Sequence, residues 1–181
     1  MSPLLVPNPP GGPSASALFE AIQAAGVTHC VTVPDFVQFA LHDRLFAPDS
    51  GIANVLACSE DQTLTTATGL HIGGAVPMLM VQNQGMMKCA NTLRGTCLDA
   101  GVPIVFFVGQ FGREVANMDQ PMRDSRRSPV ALMEPLLDAM GVKTFVVSDD
   151  ADVPRVAAAF AHAREQETAA CVLIARHVIW N

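Results

Sequence analysis

A chain of 181 residues that is 50% hydrophobic can bury one sizeable core and is too short for two ordinary domains. Its 17 acidic against 11 basic side chains, a net charge of −6, point away from nucleic acid and from anionic membranes, both of which require a basic face. No apolar run reaches the roughly 18 residues of a membrane span, and five cysteines without a CxxC fit a cytoplasmic protein better than a disulfide framework or structural zinc.

Met1 to Gly12 holds four prolines and no basic residue, unlike a secretory signal. Residues 1–13 therefore read as a proline-rich extension ahead of one domain at 14–181. Ser14 or Ser16 caps a first helix that Gly26 ends. His29 to Val33 is a strand, and Asp35 after it is either the cap of a helix from Phe36 to Leu45 or an acid on the substrate side. Ile52 to Ala57 is the second strand. Ser59 and Gln62 then form a capping box for a glycine-bearing, low-charge helix, Thr63 to Gly74.

Met78 to Val81 is the third strand, and Gly85 opens a helix running to about Asp99. Ile104 to Val108 is the fourth. Gln110 to Ser128 follows as a long connection without periodicity, carrying Arg113, Arg123, Arg126 and Arg127. It is either a solvated loop or one that binds anions or contacts a subunit. Glu134-Pro135 opens a fifth helix and Gly141 stops it. Thr144 to Val147 is a strand. Asp149, Asp150 and Asp152 suit the head of a sixth helix reaching about Glu165, and Ala170 to Ile174 is the last strand.

This alternation predicts a single doubly wound α/β domain with a mostly parallel sheet of about six strands, each covered on both faces. Ligands of such sheets bind beyond the carboxyl ends of the strands. Asp35, Glu60 and Gln82 to Gly85 follow strands directly, so they share that edge.

The familiar nucleotide and hydrolase signatures are missing. Val33-Pro34-Asp35 stands where a dinucleotide fold has GxGxxG, and no GxxxxGK[ST] or GxSxG occurs. Cys58 lies at a strand-to-helix turn, but no histidine is placed to make it a nucleophile. Cys30, Cys58 and Cys171 read as small hydrophobes in apolar runs, and Met80, Met86 and Met87 as packing. His29 and His177 read as core or edge residues, His42 and His162 as solvated. His71, three turns beyond Glu60, either lies near the site or faces a neighbouring subunit. Glu60 itself is either a first-turn acid, worth about 0.3–1 kcal/mol to the helix dipole, or a catalytic acid.

Three segments together resemble the pyrimidine-binding domain of thiamine-diphosphate-dependent decarboxylases. Gly26 to Asp35 is similar to the family's opening strand and its valine-proline-aspartate turn. Glu60, nine residues before Gly69, matches the spacing of the catalytic glutamate and its helix glycine. Val81-Gln82-Asn83-Gln84-Gly85, then Asn91, resembles the turn and helix of the sulfopyruvate and phosphonopyruvate decarboxylases. Met118 to Pro121 and Pro135 to Gly141 echo later family segments. Met86-Met87-Lys88 departs from the expected leucine-glycine-asparagine, and Arg123 stands where a histidine is expected.

The resemblance implies an α subunit of a decarboxylase acting on a 2-oxo acid akin to sulfopyruvate or phosphonopyruvate. Glu60 would activate the aminopyrimidine, with Gln82, Asn83 and Gly85 contacting the cofactor and Asp35 and Arg123 on the substrate side. The GDG motif that holds magnesium and diphosphate in the family is missing from this sequence. It follows from the resemblance that Mg2+ is held by a β subunit, that this chain supplies no metal ligand, and that the assembly is α2β2 or larger. Two alternatives stay open: a carboligase subunit resembling acetolactate synthase, and a non-catalytic α/β binding module in which Glu60 only caps a helix.

Overall fold

The computed structural model describes residues 11–181. Most of the proline-rich segment, residues 1–10, lies outside the described residues. From Gly12 onward the chain is part of the body. Ser14 pairs with Ile179 in a parallel bridge, and the Ile179 N–H donates to the Pro13 carbonyl at 2.9 Å.

Six strands alternate with helices, as the apolar runs predict. They are β1 (His29–Thr32), β2 (Ala53–Leu56), β3 (Pro77–Gln82), β4 (Val105–Gly109), β5 (Lys143–Val147) and β6 (Ala170–Ile174). All are parallel, in the order β2-β1-β3-β4-β6-β5. Successive side chains on a strand face opposite ways, which divides the core in two. Cys30, Met80, Phe107 and Val172 pack on one side with α1 (Ala15–Ala24), α2 (Phe39–Phe46) and α8 (Arg155–Gln166). Val31, Leu79, Phe106 and Leu173 pack on the other with α3 (Glu60–Ile72), α4 (Asn83–Lys88), α5 (Ala90–Leu93) and α7 (Met133–Ala139); a short α6 (Ser128–Ala131) precedes α7. The chain leaves β1 outward to β2 and returns to β3 on the other side of β1. The crevice between the ends of β1 and β3 is therefore the switch point of the sheet.

Ser14, not Ser16, caps α1, and Gly26 takes the left-handed conformation after it at φ +79°. Several local expectations fail. Coverage of both faces does not extend to β2, an edge strand whose Leu56 is 61% exposed. Asp35 does not cap α2, which begins at Phe39 with Gln38 as its cap residue. The capping box at α3 does not form, because the Ser59 hydroxyl is engaged by Asp61 and Lys88 instead of a backbone N–H. The fourth helix starts at Asn83 and is broken, with α5 passing into a π-helical turn, Arg94–Asp99, that contains Gly95. His42 is buried, not solvated, and Cys58 is exposed, not packed in an apolar run.

The long connection after β4 is ordered by its own arginine. Arg113 donates to the carbonyls of Asn117, Met118, Gln120 and Ala175 and to Asn117 Oδ1, at 2.9 to 3.2 Å. One guanidinium thus satisfies a run of loop carbonyls that would otherwise lack donors. Among the described residues no helix is long and apolar enough to cross a membrane.

Candidate active site

Glu60 is the first residue of α3, which crosses back over the sheet from β2 to pack on β1 and β3. That crossing brings the head of α3 against the head of α4. The two helices meet at Glu60 and Gly85: a Cβ placed on Gly85 would fall 2.3 Å from Glu60 Cγ and 2.8 Å from its Oε1. The glutamate chain therefore lies on the bare backbone of a buried glycine, and the residue remains half-buried at the carboxyl edge of the sheet. Glu60 and Gly85, which the family resemblance places on the cofactor side, are in contact in the structure.

Asp61, next to Glu60, has a different role. It is half-buried, and the Ser59 hydroxyl, backed by Lys88, holds its carboxyl below the ordinary value. Lys88 lies one turn beyond Gly85, so Ser59, Asp61 and Lys88 tie the two helix heads together from outside.

Asn83 is fully buried. Its Oδ1 accepts the Gln84 N–H at 2.9 Å, and its Nδ2 donates to Gln110 Oε1 at 2.9 Å and to the Phe111 carbonyl at 3.1 Å. Asn83 thereby fixes the start of α4, and with it Gly85, to the end of β4. Gln82 is the last residue of β3, half-buried and paired in register with Gly109.

Asp35 is 1% exposed beneath this edge. Its Oδ1 accepts the Val37 N–H at 2.9 Å and its Oδ2 accepts Gln38 Nε2 at 2.7 Å. A Cβ on Gly109 would lie 1.9 Å from Asp35 Oδ2, so the carboxyl sits directly on that glycine. Burial pushes its pKa up to about 6, against the opposing pull of Gln38 and the Val37 and Gly109 amides. The Asp35 N–H donates at 3.0 Å to Nε2 of His42, whose pKa burial lowers to about 4. His42 is thus a neutral acceptor at pH 7.

Arg123 is not beside Glu60. It is exposed and lines a cleft of about 360 Å3 with Arg113, Gln120, Glu134 and Ser148, beyond the ends of β5 and β6. Neighbouring strands are about 4.8 Å apart, so β6 lies about 10 Å along the edge from β3. Two buried groups escaped sequence reasoning. His42 falls four residues after Gln38, on the inward face of α2 with Leu41 and Leu45, and that spacing was a usable signal. Gln110, a polar residue immediately after a fully buried central strand, was the other.

No family model matches the chain. Over 106 residues it is 26% identical to sulfopyruvate decarboxylase subunit alpha of Methanothermobacter thermautotrophicus, a match covering 59% of this chain and 64% of that subunit. The chain is a distant homologue of that subunit. The matched region spans a little under two thirds of the relative's length. In architecture the chain is similar to a 2-oxoglutarate:ferredoxin oxidoreductase from Magnetococcus marinus, solved with 2-oxoglutarate, coenzyme A and succinyl-CoA bound. The TM-score is 0.63 at 13% identity, over 88% of this chain and 28% of that one. At that identity the likeness shows the fold.

Proposed function

We propose that this chain is the α subunit of a thiamine-diphosphate-dependent 2-oxo-acid decarboxylase, with Glu60 as the residue that engages the aminopyrimidine. The observation that carries the reading is the seating of Glu60 on Gly85. A carboxyl group at a helix head, laid against a glycine at the sheet's switch point and left half-exposed, suits a flat heterocycle resting over it. The homologous subunit's name and the resemblance of the turn at Gln82 to Gly85 support the same assignment.

Thiamine diphosphate, when bound, supplies the electron sink for loss of carbon dioxide. Glu60 would share a proton between its carboxyl oxygen and the pyrimidine N1′ nitrogen, which would be the protein's part in activating the ring. Gly85 leaves the space that the Glu60 side chain occupies, Gln82 at the end of β3 would contact the ring, and Asn83 holds the start of α4 in place by anchoring it to β4. Asp35 acts from beneath the substrate side, holding the β1–α2 turn through Val37 and Gln38 rather than offering a free oxygen. Arg123, at the far end of the edge, suits the anionic tail of a sulfonated or phosphonated pyruvate. Magnesium and diphosphate are assigned to a β subunit carrying the GDG motif, because this sequence has none.

The test is reconstitution with such a chain, thiamine diphosphate and Mg2+. Carbon dioxide and an aldehyde should form from 3-sulfopyruvate or 3-phosphonopyruvate; a coupled ketol would instead indicate carboligation. Glu60→Gln should lower kcat by about 100-fold or more, the range of a lost proton-transfer group. Turnover kept by Glu60→Gln would leave Glu60 as a helix-head acid only.

A further inference from the structure

Four of the five exposed phenylalanine and tryptophan side chains among the described residues lie together at the carboxyl edge of the sheet. Phe36 and Phe39 follow β1, Phe111 follows β4, and Trp180 lies on the segment after β6. The backbone creates the arrangement. That last segment runs beside the β1–α2 turn, where the Val178 N–H donates to the Val37 carbonyl at 2.9 Å and both valines are buried. Turning the valines inward leaves the rings around them facing out. On one side of this bond His177 packs edge-to-face on Phe36 at 5.7 Å, and on the other Trp180 packs on Phe39 at 5.9 Å. Phe111 extends the row, edge-to-face against Phe36 at 6.5 Å. The four phenylalanine and tryptophan residues are each 38% to 58% exposed. None of the five rings is charged at pH 7, since burial lowers the pKa of His177.

The exposed parts of the four larger side chains amount to roughly 400 Å2, as much apolar surface as a monomer leaves in its largest patch. That is about half of the roughly 800 Å2 that each partner contributes to a stable interface. Rings already held edge-to-face lose little freedom on binding, which suits the centre of such an interface. The patch is also continuous with the candidate site. Asp35 precedes Phe36, and the Phe111 carbonyl accepts Nδ2 of Asn83, the first residue of α4. A chain seated on the rings would reach over the open edge at Glu60. A second copy of this chain is the poorer occupant, because two chains of net charge −6 repel each other.

We propose that Phe36, Phe39, Phe111, His177 and Trp180 are the anchor on which the β subunit docks, through an apolar face of its own, so that the docked chain closes the edge over Glu60. The identity of the occupant rests on the proposed function. The patch itself rests on the ring contacts alone.

Phe39→Ser and Trp180→Ser test it, in the full chain titrated calorimetrically with the GDG-bearing β subunit. Both side chains project outward, so melts of the isolated variants should stay within a few degrees of the parent. Kd for the β subunit should rise about thirtyfold or more for each, as loss of an aromatic anchor does. Ile72→Ser removes a more exposed apolar side chain at the far end of α3 and should move Kd by less than about threefold. Raising NaCl from about 0.05 to 0.5 M should leave the parent Kd within about threefold, because no charge is paired at the anchor. A Kd that neither substitution in the patch moves overturns the proposal. So does binding that weakens steeply with salt, which would assign docking to the arginine-bearing loop. Self-association of the isolated chain, abolished by either substitution while β binding persists, would give the patch to a second copy. The proposal and the proposed function fail separately. A complex that forms through the patch but neither takes up thiamine diphosphate nor releases carbon dioxide removes the proposed function alone. An active complex indifferent to both substitutions removes the docking patch alone, and a parent chain that the β subunit does not bind removes both.

Discussion

A methyl group at position 85 would occupy the space that Glu60 uses. The clash at 2.3 Å is with the middle of a side chain, not with backbone, so Glu60 can swing away while the fold survives. Alanine is also the better helix former by about 1 kcal/mol, which offsets part of any strain. Gly85→Ala should therefore leave the unfolding midpoint within a few degrees of the parent while lowering kcat about 100-fold, as displacement of a reacting group by about 1 Å does. Paired thermal melts and steady-state kinetics in the reconstituted complex would show it. Equal losses in both would mean that the glycine serves packing alone. Glu60 and Gly85 could be paired in advance only through the family resemblance, because their contact depends on how α3 crosses the sheet.

At the scale of the element, the β1–α2 turn holds two buried titrating groups of opposite habit. Asp35 has its pKa raised to about 6, so its contribution to stability is complete below about pH 4 and lost as pH rises through 6. His42 has its pKa lowered to about 4, so its contribution is complete above about pH 6.5 and lost as pH falls through 4. Each shift corresponds to about 3 kcal/mol, and the two slopes oppose each other over the same interval. Urea unfolding of the parent should show little dependence on this pair between pH 4 and 6.5. Asp35→Asn should uncover the histidine slope, with stability falling by about 3 kcal/mol from pH 6.5 to 4. A variant as level as the parent would remove the argument. The sequence made Asp35 visible because a carboxylate directly follows a strand, and all six strands were legible from their apolar runs. It concealed the length of the turn. Asx-type bonding to Val37 and Gln38 delays α2 to Phe39, and nothing in Phe36 to Gln38 betrays that by periodicity. The break in the fourth helix had one sign in the sequence, Gly95, and an isolated glycine in a helical run does not by itself place a π-helical turn.

For the molecule as a whole, the candidate site is open. Glu60 is half-exposed, while a carboxyl that shares a proton with a ring nitrogen works best away from water. The surroundings of α3 point the same way: Leu56, at the end of β2 just before the helix, is 61% exposed, and Gln62 and Thr65 on the exposed side of its first turns carry no charge. If a β subunit closes this edge and brings the diphosphate-binding half, neither chain alone holds the complete cofactor site. Equilibrium dialysis should then find no saturable thiamine-diphosphate binding by this chain with Mg2+, and stoichiometric binding once the partner is added. Because the ligand binds only the assembled form, it should also stabilise the complex, by about 2.7 kcal/mol at 100 times Kd, and leave the melting of the isolated chain unchanged. Equal affinity with and without the partner would mean that the diphosphate is held by residues of this chain, and the division of the site between two subunits would have to be abandoned.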